Sequence, residues 1–229
     1  MRNDQAPHAE TLARSNTFSD LPMETLCRLA AGTTASTYKR GGVVFGRGTP
    51  ATGIHVVATG QLKLCIETLQ GDEHVVELVE EGACFGEAAM LTNRLHLLSA
   101  VALCDSTLLH VARTTLLNEL ELNQQLARRI IGNLSDRLYR RTNDMENILL
   151  RNAPGRVARY ILDELERDSM PVDGQIQLHA PKGVIASRLN MTQEHFSRTL
   201  RSLSASGKIK VTGATINVVN ESSLRALAA

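Results

Sequence analysis

The sequence predicts an α+β chain of three parts: an N-terminal antiparallel β-domain, a long helix, and a C-terminal winged helix-turn-helix. Three observations predict it. Short apolar runs alternate with glycines between about 33 and 112. Apolar residues then recur with a heptad period between Ala127 and Ile148. Finally, two short helical patterns precede a pair of strands around Thr212-Gly213-Ala214.

Residues 1–20 are polar and read as a flexible arm, leading into a short helix near Pro22 to Ala31. The β-domain is assigned to 21–112. Its strand candidates are Val43-Val44-Phe45, Ile54-His55-Val56-Val57, Leu62-Lys63-Leu64-Cys65-Ile66, Val75-Val76-Glu77-Leu78-Val79, Ser99-Ala100-Val101-Ala102-Leu103 and Thr107-Leu108-Leu109-His110-Val111. Glycines at 41, 42, 46, 48, 60, 71 and 82 fall between or beside these runs. Such spacing belongs to a sandwich or barrel. Gln70-Gly71-Asp72 reads as a hairpin tip.

Residues 113–151 read as a connecting and pairing helix. Ala127, Ile131, Leu134, Leu138, Arg141, Met145 and Ile148 are spaced four and three alternately. Such a seam runs for about 33 Å of helix and suits pairing with a second copy, with Arg141 helping to fix register. The alternative is a helix packed only on its own domain. Asn152-Ala153-Pro154-Gly155 breaks the pattern. From 152 to 229 follow an amphipathic helix with Val157, Tyr160, Ile161 and Leu165 inward, a strand at Gln175–Leu178, and the helix-turn-helix.

That last motif carries the chemistry. Val184, Ile185, Ala186 and Leu189 pattern a first helix, and Asn190 suits the left-handed conformation that ends it. Thr192 can cap the second helix, with Glu194 in its first turn near the positive end of the macrodipole. Phe196, Leu200 and Leu203 lie on one face; Gln193, Glu194, Ser197 and Arg198 lie on the other. Arg pairs bidentately with guanine, Glu accepts from cytosine and Gln pairs with adenine. A second helix so equipped enters the major groove of double-stranded DNA. The plainer alternative is a surface helix with an i,i+4 pair of Glu194 and Arg198. Residues 181–210 hold Lys182, Arg188, Arg198, Arg201, Lys208 and Lys210 against Glu194 alone, although the whole chain has a formal charge of only +1. Arg201, Lys182 and Lys208 are the candidate phosphate contacts. Lys208-Ile209-Lys210-Val211 and Thr215-Ile216-Asn217-Val218-Val219 make the wing.

The composition excludes several classes. Hydrophobic residues are 43% and charged residues 21%, as in soluble globular proteins. There is neither a long apolar run nor an N-terminal signal, so a cytoplasmic protein with no membrane partner is expected. Cys27, Cys65, Cys84 and Cys104 form no CxxC. No P-loop, HExxH or Ser/His/Asp constellation is present, so an enzyme is not expected.

In this order of parts, nearly the whole chain resembles the Crp/Fnr family of transcription regulators, whose fold is a cyclic-nucleotide-binding-like β-roll, a dimerisation helix and a winged helix. Gly82-Ala83-Cys84-Phe85-Gly86-Glu87 resembles the G-x-x-F-G-E entry to the ligand cassette. Val56-Val57-Ala58-Thr59-Gly60-Gln61-Leu62-Lys63-Leu64 is similar to the strand–turn–strand around a nearly fixed glycine. Glu194-x-x-Ser197-Arg198 resembles the recognition helix of the fumarate–nitrate branch, where the cyclic-AMP receptor branch has Gly at the position of Ser197. Leu134 to Leu138, Asn152-Ala153, Arg156 to Tyr160 and Phe85 to Met90 look closest to the dissimilatory nitrate respiration regulators. The resemblance implies a homodimer on TTGAT-like inverted repeats, acting as an activator with RNA polymerase as partner.

It also implies an effector pocket lined by Gly86, Glu87, Leu98 and Ser99, with Leu126, Ile130 and Leu134 from the long helix. Cyclic-nucleotide binders carry Arg-Ser/Thr-Ala about ten residues after the Glu; here the triplet is Leu98-Ser99-Ala100, with Arg94 out of register. Leucine cannot neutralise a phosphate, so cyclic AMP is not the expected effector. An iron–sulfur cluster is not expected either, since only Cys27 lies near the N-terminus. The nitrate respiration regulators bind haem to sense nitric oxide, which makes haem the leading cofactor expectation, with His8, His55, His74 and His96 as candidate axial ligands. A small organic acid and an effector-free mode are the alternatives.

Overall fold

The computed structural model describes residues 5–67, 73–167 and 174–228. It divides into two units, Met1–Leu138 and Tyr139–Ala229. The expected hairpin tip at 70–72 lies outside the described residues.

In the first unit, helices α1 (Gln5–Ala13) and α2 (Met23–Ala31) precede eight strands. These are β1 (Thr33–Tyr38), β2 (Val43–Phe45), β3 (Gly53–Thr59), β4 (Gln61–Glu67), β5 (Glu73–Glu80), β6 (Cys84–Phe85), β7 (Ser99–Ala102) and β8 (Ser106–Ala112). A short helix α3 (Glu87–Leu91) lies between β6 and β7, and α4 (Arg113–Leu122) follows β8. Two four-stranded antiparallel sheets result, ordered β1-β8-β3-β6 and β2-β7-β4-β5.

Two apolar clusters explain the strand sequences. Val57, Leu62, Leu64, Val79, Phe85, Ala100 and Leu108 pack between the sheets. Ile54, Val56, Leu109 and Val111 point the other way, onto Leu12 of α1, Leu26 and Leu29 of α2 and Leu116 of α4. Strands β3 and β8 are therefore covered on both faces, which is why each has adjacent apolar residues, Val56-Val57 and Leu108-Leu109.

The expectation of a flexible arm over 1–20 is corrected for the described residues. Residues 5–13 form α1, and Ala9, Leu12 and Phe18 are buried in the helix-side cluster. Two inward positions three residues apart suffice, because α2 supplies a surface to cover them. Arg129 ties the following segment down through Asp20 and Ser19, and Asn133 donates to Thr17 at 2.9 Å.

The long helix α5 spans Gln124–Leu150. Its inward stripe is Leu126, Ile130 and Leu134, in the helix-side cluster. Within one copy the expected seam residues differ in exposure. Leu134 faces inward and Arg141 pairs with Asp144 at 2.9 Å. Ala127 and Ile148 are half-buried, whereas Ile131, Ser135, Leu138, Thr142, Met145 and Leu149 are all exposed. The exposed stripe keeps the heptad spacing but lies one position further round. Among the described residues no helix is long and apolar enough to cross a membrane.

The second unit holds the C-terminal part of α5, then α6 (Ala153–Arg167), β9 (Gln175–Gln177), α7 (Lys182–Arg188), α8 (Gln193–Ala205), β10 (Ile209–Thr212), β11 (Thr215–Val218) and α9 (Glu221–Ala228). Asn152 starts α6 by accepting the Gly155 amide at 3.0 Å, with Pro154 in the first turn, where its missing N–H costs nothing. Val157, Tyr160 and Ile161 are buried as expected, with Leu165 half-buried. Strands pair antiparallel in the order β10-β11-β9. Gly213 takes φ +65 in the two-residue turn between β10 and β11, a conformation that favours glycine.

Candidate nucleic-acid interface and sensor cassette

The helix-turn-helix is built as its residue types require. Pro181 precedes α7, and α7 ends through Asn190 at φ +54. Thr192, with extended backbone, caps α8: its hydroxyl accepts the His195 amide at 3.2 Å. Phe196, Thr199, Leu200 and Leu203 are buried on the inner face. The Gln193 side chain lies against Gly183, where a Cβ would stand 2.8 Å from its Oε1.

The opposite face is open. Gln193, Glu194 and Arg198 are exposed, and Ser197 is half-exposed beside them. Among the described residues neither Glu194 nor Arg198 takes part in an ion pair, so the pairing expected on a plain surface helix does not use them up. A cleft of about 390 Å³ runs from this face to the wing, lined by Lys182, Ser197, Leu200, Arg201, Ser204, Val211 and Gly213. Lys182 and Arg201 thus border the same cleft as Ser197 and the wing turn. Lys208 starts the wing, its carbonyl accepting the Val219 amide at 2.9 Å. The chemistry available is base-edge donors and acceptors flanked by cations that suit phosphates.

In the first unit the cassette turns on two glycines. Gly60 joins β3 to β4 at φ +97, where a Cβ would meet Oγ of Ser106 at 2.2 Å. Gly86 precedes α3 at φ +93. Glu87 follows it, 5% exposed, with its carboxylate accepting Nη1 of Arg137 at 2.9 Å. Arg137 also donates through Nε to Glu77 at 3.0 Å and through Nη2 to the Cys84 carbonyl at 3.4 Å. Neither Arg137 nor Glu77 was among the expected site residues. The available signal was spacing: Arg137 continues the inward stripe Leu126, Ile130, Leu134.

Of the expected effector-pocket residues, Leu98 packs with the cluster between the sheets, whereas Leu126, Ile130 and Leu134 belong to the helix-side cluster. Ser99 is buried, and its hydroxyl accepts the Arg47 amide at 3.0 Å. Arg94 is exposed.

The candidate haem ligands are dispersed or packed. His8 lies on α1 and His74 on β5. His96 stacks on Phe45 at 3.7 Å, and His55 lies 5.2 Å from Phe85 and 4.9 Å from His110. Burial, and then the neighbouring His110 and His96, push the His55 imidazole down to about 3. Burial lowers His96 and His110 as well. Cys65 and Cys84 are buried, and burial raises both thiols to about 12, which opposes the thiolate form that binds metal.

Comparison with known proteins accounts for both units. The cyclic nucleotide-binding domain family matches residues 35–123, and the Crp-like helix-turn-helix domain family matches residues 155–227. The chain belongs to the Crp/Fnr family of transcription regulators. It is 21% identical over 209 residues to a CRP-like cAMP-activated global transcriptional regulator of Mycobacterium tuberculosis, covering 90% of this chain and 93% of that one. It is 28% identical over 181 residues to the cyclic AMP receptor protein of Thermus thermophilus, covering 79% of this chain and 82% of that one. Among solved structures, FixK2 from Bradyrhizobium japonicum superposes with a TM-score of 0.75 at 25% identity, covering 86% of this chain and 98% of that one. The family places the chain as a DNA-binding regulator.

Proposed function

We propose that this chain is a homodimeric transcription activator that reads an inverted repeat of TTGAT-like half-sites and contacts RNA polymerase. The observation that carries the reading is the open first turns of α8, where, among the described residues, Glu194 and Arg198 take part in no ion pair and lie beside Ser197. The Glu-x-x-Ser-Arg pattern favours the half-site of the fumarate–nitrate type, while the stretches Leu134 to Leu138, Asn152-Ala153, Arg156 to Tyr160 and Phe85 to Met90 favour the nitrate respiration branch. The exposed heptad stripe of α5 supports pairing with a second copy.

Cyclic AMP fits this cassette poorly. Leu98 stands where a phosphate would need a cation, and Glu87 is already engaged by Arg137. Haem does not fit either: His55 and His96 are taken up in ring packing, and His8 and His74 lie on separate elements. A haem titration read at the Soret band is expected to give no shifted band.

The test is fluorescence anisotropy with a duplex carrying two TTGAT half-sites, one half-site, or none. The expected order is two sites tightest, then one, with the scrambled duplex weaker by about a thousandfold or more. Equal affinity for all three would contradict the reading.

A further inference from the structure

We propose that Arg137 is a positioning latch that fixes the roll of α5 about its axis and so aims the pairing stripe outward. Leu126, Ile130 and Leu134 form an apolar inward stripe, and Arg137 is the next residue on that side. Its guanidinium does not end in solvent. It donates to Glu87 at the start of α3, to Glu77 on β5, and to the Cys84 carbonyl on β6. One side chain therefore ties three elements of the cassette to the long helix. Apolar contacts alone allow a helix to slide and roll among similar packings, whereas a fork of charged donors has one matching geometry. Glu87 is 5% exposed, so withdrawing Arg137 would leave a buried carboxylate without this partner, which makes the closed arrangement strongly preferred. The stripe of Ile131, Leu138 and Met145 starts one residue on from Arg137 in its middle position, so its direction follows directly from where Arg137 is held.

The corner gripped by the latch is itself constrained: Gly86 sits at φ +93, a backbone conformation that L side chains rarely adopt. The α5 helix then continues without interruption to Leu150, two residues before Asn152 caps α6. Dimerisation should therefore depend on the cassette through a single guanidinium. The consequence for DNA affinity rests on the function proposed above; the consequence for pairing rests on the α5 stripe.

The test uses the full chain as wild type, Arg137→Gln, Arg137→Lys and Glu77→Gln. Hydrogen exchange is followed at residues 84–91, the dimer constant by sedimentation, and affinity for the two-site duplex by anisotropy. Arg137→Gln is expected to speed exchange at 84–91 by about tenfold or more and to weaken both dimer and DNA binding by about fivefold or more. Lys, a single point of charge, is expected to recover only part of this, and Glu77→Gln, which keeps shape and folding, to give a smaller change in the same direction. Unchanged exchange in Arg137→Gln and Glu77→Gln would overturn the latch. Faster exchange with an unchanged dimer constant would overturn its control of the stripe. A wild-type chain that fails to bind the duplex would count against the function alone, because exchange and sedimentation judge the latch without DNA.

Discussion

Replacing Leu138 by Ala should separate the paired chains while leaving each folded. Ile131, Leu138 and Met145 are 64%, 69% and 62% exposed and lie seven residues apart on α5. Full burial of a leucine side chain stabilises by about 1.5–3 kcal/mol. With roughly two-thirds of Leu138 left to cover, pairing should gain about 1–2 kcal/mol per copy. A two-fold interface loses that twice, about 2–4 kcal/mol, so the dimer constant should weaken by about 30- to 700-fold. Sedimentation velocity over a range of concentrations measures it. Thermal melting of dilute protein serves as the control, because truncating an exposed side chain changes stability by only about 0.5 kcal/mol. Arg141→Ala supplies the contrast, since Arg141 is engaged with Asp144 rather than placed on the exposed stripe. An unchanged dimer constant in Leu138→Ala, or a larger loss in Arg141→Ala, would refute the assignment.

Other outcomes follow from individual side chains. Thr192→Ala removes the hydroxyl that accepts the His195 amide, and should cost about 1 kcal/mol of stability by chemical denaturation. Lys208→Ala should weaken binding to specific and scrambled duplexes alike, with the slope of log affinity against log salt reduced by about one. His55 has a folded pKa of about 3 against an ordinary 6.5, so between those values the unfolded chain binds more protons. The stability that neutral His55 contributes is present above pH 6.5 and lost as pH falls. From pH 6.5 to 5 the loss should be about 1.5 kcal/mol, and His55→Asn should flatten that part of the profile.

Some of this was legible because local chemistry and tertiary demand agree. Thr192, Glu194 and the spacing of Phe196, Leu200 and Leu203 each name the same helix, and Asn190 adopts the left-handed turn between the two helices. The wing was readable because Gly213 sits between two β-branched runs. Strand β1, Thr-Thr-Ala-Ser-Thr-Tyr, was not: it lies at a sheet edge with most positions exposed, so no apolar run marks it. Helix α1 was missed because only Ala9 and Leu12 turn inward. The roll of α5 could not be read from periodicity, since adjacent stripes of one helix both satisfy a heptad. Which of them faces out is decided by Leu126, Ile130 and Leu134 packing inward, a tertiary fact. Nor does periodicity show that a sheet covered on both faces packs Leu98 and Leu126 into different apolar clusters.

The proposed reading of base edges by Glu194, Ser197 and Arg198 on α8 is tested by the affinity of wild type and Arg198→Ala for a two-half-site duplex and for duplexes with each half-site base pair changed in turn. Arg198→Ala should lose about 1–3 kcal/mol on the intact site and become indifferent to one base pair while still discriminating at the others. An Arg198→Ala chain that binds the intact site as tightly as wild type, with the same ranking of altered sites, would contradict it.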